Sequence, residues 1–218
     1  MAYIKLYKEF APEVRENIVF KVINRNKHKE LLNKVPYIEY LDLAIVFYYY
    51  LPDQYSKEGE RLMMINNEMI EMWQADISTL MEAAICNTPR IFGFKFRGIL
   101  NTIASFLEDD SMLSLVEDEE NYTPIYVATN NIAFNGAAVM LYKDALKAIA
   151  SKLKSDLYII PSSIHEIIVV KTIEGCEFST DAIKEMIYNI NRNELPPEDF
   201  LSDNLYFYNR KTGELGIA

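Results

Sequence analysis

The sequence predicts a mixed α+β protein: antiparallel sheets with helices packed on one face. Three observations carry that expectation. Half of the residues are hydrophobic and 12% aromatic, enough to fill a sizeable core. Short runs rich in β-branched and aromatic residues alternate with stretches whose apolar positions recur at helical spacing. The turn residues between these runs also favour hairpins, as at Pro161-Ser162-Ser163 and Asn209-Arg210-Lys211-Thr212-Gly213.

In chain order, Val14, Ile18, Val19, Val22 and Ile23 recur at helical spacing behind Pro12, which predicts a helix over 12–23. A short helix through Leu31 and Leu32 follows and ends before Pro36. The run 41–51 (LDLAIVFYYYL) reads as a strand buried on both faces. A turn over 52–59 leads into a second strand over 61–65. Asn66 and Asn67 offer a cap for a helix carrying Met69, Ile70 and Trp73. Asp76 caps another, with Ile77, Leu80, Met81, Ala84 and Ile85, which Asn87 and Pro89 are expected to stop. Ile99, Ile103, Phe106 and Leu107 mark one more helix.

Residues 108–121 hold seven carboxylates with little periodicity. Like charge at that density reads as an acidic linker between an N-terminal α+β subdomain, 1–107, and a C-terminal subdomain, 122–218. The alternating oxygen ligands and central glycine of a calcium loop are absent there.

The C-terminal half reads as two successive β-β-α units. Ile125 to Asn130 is a strand, Asn135-Gly136 a turn, and Ala137 to Tyr142 the returning strand. A helix with Leu146, Ile149, Ala150 and Leu153 on one face completes the first unit. The second unit has strands over 156–160 and 164–171 and a helix introduced by Ser179-Thr180, with Ile183, Met186, Ile187 and Ile190. A last hairpin spans 205–217.

Several chemistries are set aside by composition. The formal charge is −10, with 32 acidic against 22 basic residues. Nucleic acids and anionic membranes need Lys and Arg in excess, so neither is expected as a partner. No segment approaches the ~18 apolar residues of a membrane span. The N-terminus lacks a signal core, and the two cysteines, Cys86 and Cys176, form no metal or disulfide pattern. They read as buried free thiols in a reducing compartment, so a cytoplasmic location is expected. The seven glycines are scattered, and neither GxGxxG nor GxxxxGK occurs, so no nucleotide cofactor is expected. No metal site is expected either, since two histidines and two isolated cysteines give no ligand spacing. His28 lies in a basic stretch with Arg25, Lys27 and Lys29 and reads as solvent-exposed.

Ser162, Ser163, His165 and Glu166 are the candidate site, because they place nucleophile, base and acid types within five positions. On a continuous strand, Ser163 and His165 share a face with Cα atoms ~6.5 Å apart, and Glu166 points to the other. Glu166 then cannot orient the imidazole, and no GxSxG elbow is present. The bland reading is a turn whose serines satisfy backbone amides, and it outweighs catalysis. A binding tip demands less. The tyrosines (Tyr37, Tyr40, Tyr48, Tyr49, Tyr50) and the methionines Met63, Met64, Met69, Met72 and Met81 offer a second candidate, an aromatic and Met surface for another protein or for self-association, with core filling as the competing reading.

The run Ile125-Tyr126-Val127-Ala128-Thr129-Asn130, then Asn135-Gly136-Ala137-Ala138, then DLYIIPSSIHEII over 156–168, resembles an uncharacterised bacterial family, domain of unknown function 5688. Asn24 through Leu32 with Pro36, Asp42-Leu43-Ala44, the stretch from Trp73 to Asn87, and Leu201-Ser202-Asp203 with Tyr206 extend the resemblance over nearly the whole chain. It implies no substrate, cofactor or catalytic residue. A non-enzymatic cytoplasmic binding or adaptor module is the expected function. The alternative is a hydrolase that uses Ser162, Ser163 and His165 with a partner residue from elsewhere in the fold.

Overall fold

A computed structural model describes residues 9–51, 62–107, 123–173 and 179–218. They fall into two compact units, one ending at Gly93 and the other beginning at Phe94. Both are built on antiparallel sheets with helices, the α+β class the sequence predicts. The predicted turn over 52–59 and the whole acidic stretch at 108–121 lie outside the described residues.

The first unit opens with a single helical turn, α1 (Pro12–Arg15), and then strand β1 (Ile18–Asn24). This corrects the predicted helix over 12–23. Ile18, Val19, Val22 and Ile23 are β-branched, and a long antiparallel partner outcompetes their helical spacing. That partner is β3 (Leu43–Tyr50), which registers Ile18 against Tyr49 and Asn24 against Leu43. On its other edge β3 pairs with β2 (Tyr37–Tyr40) at one end and β4 (Leu62–Met64) at the other. Between β1 and β2 lies the short helix α2 (Lys29–Leu32), as expected.

Two capped helices follow, α3 (Asn67–Trp73) and α4 (Ile77–Phe92). The Asn66 side chain accepts from Met69 N at 2.9 Å, and Asp76 Oδ1 accepts from Thr79 N at 2.7 Å, so both predicted caps form. Asn87 and Pro89 do not stop α4, which runs on to Phe92 and ends at Gly93, where φ is 69°. Asn87 and Thr88 instead turn towards β1. Asn87 Nδ2 donates to Arg15 O and Ile18 O, and Thr88 Oγ1 accepts from Phe20 N at 3.1 Å. The open edge of β1 is thus satisfied by a helix rather than left as a template for another strand.

The second unit is a six-stranded sheet in the order β10-β9-β7-β8-β6-β5. Strand β5 (Lys95–Gly98) and helix α5 (Ile99–Leu107) precede the acidic stretch, yet β5 pairs with β6 (Ile125–Thr129). Residues 94–107 therefore belong with the C-terminal unit, not with the N-terminal subdomain the sequence assigned them to. Strand β8 (Ile167–Lys171) takes the other edge of β6 and pairs onward with β7 (Leu157–Ile160). With both edges of β6 occupied, the expected returning strand over 137–142 has nowhere to pair. Gly136–Leu141 forms a 3₁₀ helix instead, and the first β-β-α unit loses its second strand.

Helix α6 (Ala145–Leu153) follows and ends on Lys154, whose φ of 55° is left-handed. Helix α7 (Thr180–Asn193), capped by Ser179, leads to the predicted hairpin of β9 (Tyr206–Tyr208) and β10 (Leu215–Ile217). The two helices cover opposite faces. Ile187 of α7 packs with Ile160, Val170 and Leu205. On the opposite face, Leu157, Ile159, Ile167, Val169 and Tyr206 are fully buried, and Lys152 of α6 lies 5.7 Å over the Phe96 ring.

Candidate functional site

The loop between β7 and β8 is not a strand continuation. β8 begins only at Ile167, and residues 164–165 form a bend, so the predicted face alternation of Ser163, His165 and Glu166 does not occur. Backbone pairing explains why. Ile164 N donates to Asp199 O at 2.8 Å, Leu201 N donates to Ser162 O at 2.8 Å, and Ser163 bridges Phe200. The loop gives the Ile164 amide and the Ser162 carbonyl to a segment more than 30 residues away, in place of its own hairpin partner.

His165 sits at the centre of this arrangement, with a side chain 21% exposed. Its Nδ1 accepts the Asn135 N–H at 3.2 Å, so the ring hydrogen resides on Nε2. Nε2 donates to Asp199 Oδ1 at 3.0 Å. That contact joins the ring to the 196–201 segment. The His165 carbonyl accepts from Thr129 Oγ1 at 2.7 Å, and its N–H donates to Ser163 Oγ at 3.0 Å. Phe134 closes one side, its ring centroid 5.1 Å from the imidazole.

Ser163 is buried, and its hydroxyl also bonds the Glu166 carboxylate. Burial pushes the Glu166 carboxyl above its ordinary range. The Ser163 hydrogen bond and nearby His165 oppose that shift, and Asp199 adds to it. Ser163 thus faces Glu166 rather than the imidazole, and both ring nitrogens already have partners. No ring nitrogen is placed to take a proton from either serine.

Gly136 fixes the floor of the site. A Cβ there would lie 2.0 Å from Thr129 Oγ1 and 2.4 Å from the His165 carbonyl oxygen. Only a glycine lets the 3₁₀ helix approach so closely, and Ala137 N then donates to Ile164 O at 3.1 Å. Above it the Asn130 side chain folds the loop back on itself: Oδ1 accepts from Ile132 N at 3.1 Å and Phe134 N at 3.4 Å, and Nδ2 donates to Phe134 O at 2.8 Å. This leaves Ile132 58% and Phe134 52% exposed, two large apolar side chains on a pinned loop.

The sequence singled out Ser162, Ser163, His165 and Glu166, and the structure brings the last three together. Ser162 contributes its carbonyl. Asp199, Thr129 and Phe134 reach His165 by tertiary contact and carry no local signal, and Asn130 acts within its own loop. Asn135-Gly136 had a signal, but it reads as a hairpin turn.

The family resemblance has independent support. A model described as a family of unknown function (DUF5688) matches residues 4–210. The chain belongs to that family. The match spans both units of the DUF5688 chain, including β5, the 3₁₀ helix and the His165 loop. No curated protein and no solved structure matches it.

The tyrosines of β3 are largely packed away. Tyr49 is buried. Tyr48 is half-buried beneath the Lys21 ammonium, 4.4 Å from its ring, and Tyr50 meets Phe92 edge-on at 5.7 Å. Burial lowers Lys21 to about 8 and raises Tyr48 to about 12. Met69 is buried, and Met72 is exposed. Cys86 is exposed, contrary to the expected buried thiol, because it lies on the side of α4 opposite Ala83, Ala84, Asn87 and Thr88; Cys176 lies outside the described residues. His28 is half-buried, not exposed, with Nδ1 bonded to Asn24 O at 2.9 Å. Among the described residues no group of three or more His, Cys, Asp and Glu is placed to hold a metal, and no helix is long and apolar enough to cross a membrane.

Proposed function

We propose that this DUF5688 chain is a non-enzymatic binding module of the cytoplasm, and that it engages a partner protein through the Ile132–Phe134 loop beside His165. The observation that carries the reading is the pinned apolar loop: Ile132 and Phe134 are more than half exposed, while Asn130 spends three hydrogen bonds holding their backbone. Exposed aromatic and aliphatic side chains on a preorganised loop lose little entropy when a partner covers them. The His165 network supports the same reading, because its nitrogens serve architecture and leave no base for a serine nucleophile.

The test pairs two measurements on the full chain. Partner capture, with self-association followed by light scattering, compares wild type with an Ile132→Ser/Phe134→Ser variant. Specific capture or self-association that disappears in this variant, while the fold is unchanged by circular dichroism, is the expected result. A fluorophosphonate probe supplies the second arm. Labelling that vanishes in Ser162→Ala or Ser163→Ala would overturn the reading in favour of a hydrolase.

A further inference from the structure

A cleft of about 700 Å³ opens where the end of α6 meets the β9–β10 turn. Lys154, Ser155, Asp156, Thr172, Arg210 and Lys211 line it. Its charge reverses that of the molecule. Over the whole chain acids outnumber bases by 32 to 22, yet here three cations face one carboxylate. That carboxylate is already engaged: Asp156 Oδ1 accepts the Arg210 backbone N–H at 2.8 Å. The Lys154, Arg210 and Lys211 side chains have no carboxylate partner among the described residues.

The backbone that carries the cations is well tied. Asn209 Oδ1 accepts from Lys211 N at 2.9 Å and Thr212 N at 3.1 Å, and Gly213, with φ of 75°, lets the turn close. Asp156 then fastens this turn to the start of β7. On the facing wall, Ser155 Oγ and Thr172 Oγ1 lie 2.8 Å apart and join the end of α6 to the end of β8. Lys154 occupies the left-handed position where a helix usually ends on glycine or asparagine. The helix dipole accounts for a cation there, but not for Arg210 and Lys211 on a separate hairpin.

We infer that this cleft binds a small organic phosphate carrying at least two negative charges. A guanidinium offers a planar fork of donors that matches phosphate oxygens, and two ammonium groups add point charges around it. The cleft is larger than inorganic phosphate needs and falls in the size range of small-molecule sites. A polynucleotide is disfavoured, because the chain as a whole carries a net charge of −10.

Calorimetric titration of the full chain with inorganic phosphate, pyrophosphate and ribose 5-phosphate tests this. Pyrophosphate or ribose 5-phosphate should bind more tightly than inorganic phosphate, and added salt should weaken the binding. Arg210→Ala/Lys211→Ala should reduce affinity by about tenfold or more, and Lys147→Ala, on the exposed side of α6, should leave it unchanged. If the double variant fails to fold, Lys154→Gln serves in its place and should still weaken binding. Equal affinity in wild type and cleft variants, or no binding of any of the three at millimolar concentration, overturns the inference. Binding of a poly-glutamate peptide with none of the phosphates also overturns it. The outcome is independent of the Ile132–Phe134 reading, because the two sites share no residue and use different probes.

Discussion

The loop around His165 and the cleft around Arg210 hold polar groups on the same sheet in opposite states. At His165 the ring nitrogens, the carbonyl and the amide each have a named partner, and Ser163 is shared between His165 N and Glu166. At the cleft three cations have no carboxylate partner among the described residues, and the one carboxylate in its lining accepts a backbone N–H. The His165 loop is dense in residue types associated with catalysis, and its geometry consumes them. The cleft is built from residues that are ordinary in sequence, and its geometry leaves charge available. The difference teaches that a histidine whose polar atoms all have partners rigidifies its loop, whereas cations with no carboxylate partner among the described residues leave charge open to a ligand.

The sharpest way to break the comparison is Gly136→Ala. Its Cβ would meet Thr129 Oγ1 and the His165 carbonyl well inside contact distance. We expect a loss of about 3 kcal/mol in urea unfolding, since neither neighbour can retreat without giving up the Thr129–His165 bond. A loss near zero would mean that the 3₁₀ helix is not held against the loop. His165→Ala should cost less, about 2 kcal/mol, by stranding the Asn135 N–H and the Asp199 carboxylate. Catalytic turnover of any ester substrate lost in that variant would contradict an architectural role for the ring.

Glu166→Gln changes the pH dependence more than the stability at any one pH. Folded Glu166 keeps its proton at pH values where the unfolded chain has released it. Stability therefore falls as pH rises from the ordinary carboxylate value through the raised folded one. Melting temperatures across pH 4–8 should show a drop in wild type that is smaller in the variant. The smallest effect belongs to the cleft. Arg210→Ala/Lys211→Ala should alter unfolding free energy by less than about 0.5 kcal/mol, because unpaired surface cations contribute little to folding. A large loss there would show that the cleft is structural after all, and the contrast between the two regions would collapse.

Much of the architecture was legible where local chemistry decides it. Asn66, Asp76 and Ser179 cap the helices the sequence assigns to them, and 43–50 is the strand its apolar run demands. The errors share one cause, which is competition for strand edges. Residues 18–24 carry a helical period, but β3 offers a partner; 137–142 carry a strand composition, but β5 and β8 have already filled β6. Edge occupancy is a property of the assembled sheet, invisible to spacing along one segment. The same holds for the His165 site. Its serine, histidine and glutamate could be read directly, but the partners that give them their roles lie 30 to 36 residues away. The cleft left no trace in the sequence, because Lys154 and Arg210-Lys211 meet only through the pairing of β7 with β9.

The pairing of β5 with β6 also decides how the chain can be divided. A fragment starting at residue 123 would keep every strand that follows the acidic stretch, yet it would bare the N–H and C=O groups that β6 directs at Lys95–Gly98. Such an edge recruits further copies of itself. Expression of this half should start at Phe94, and a soluble-yield comparison between the two starting points would register the cost of the missing strand.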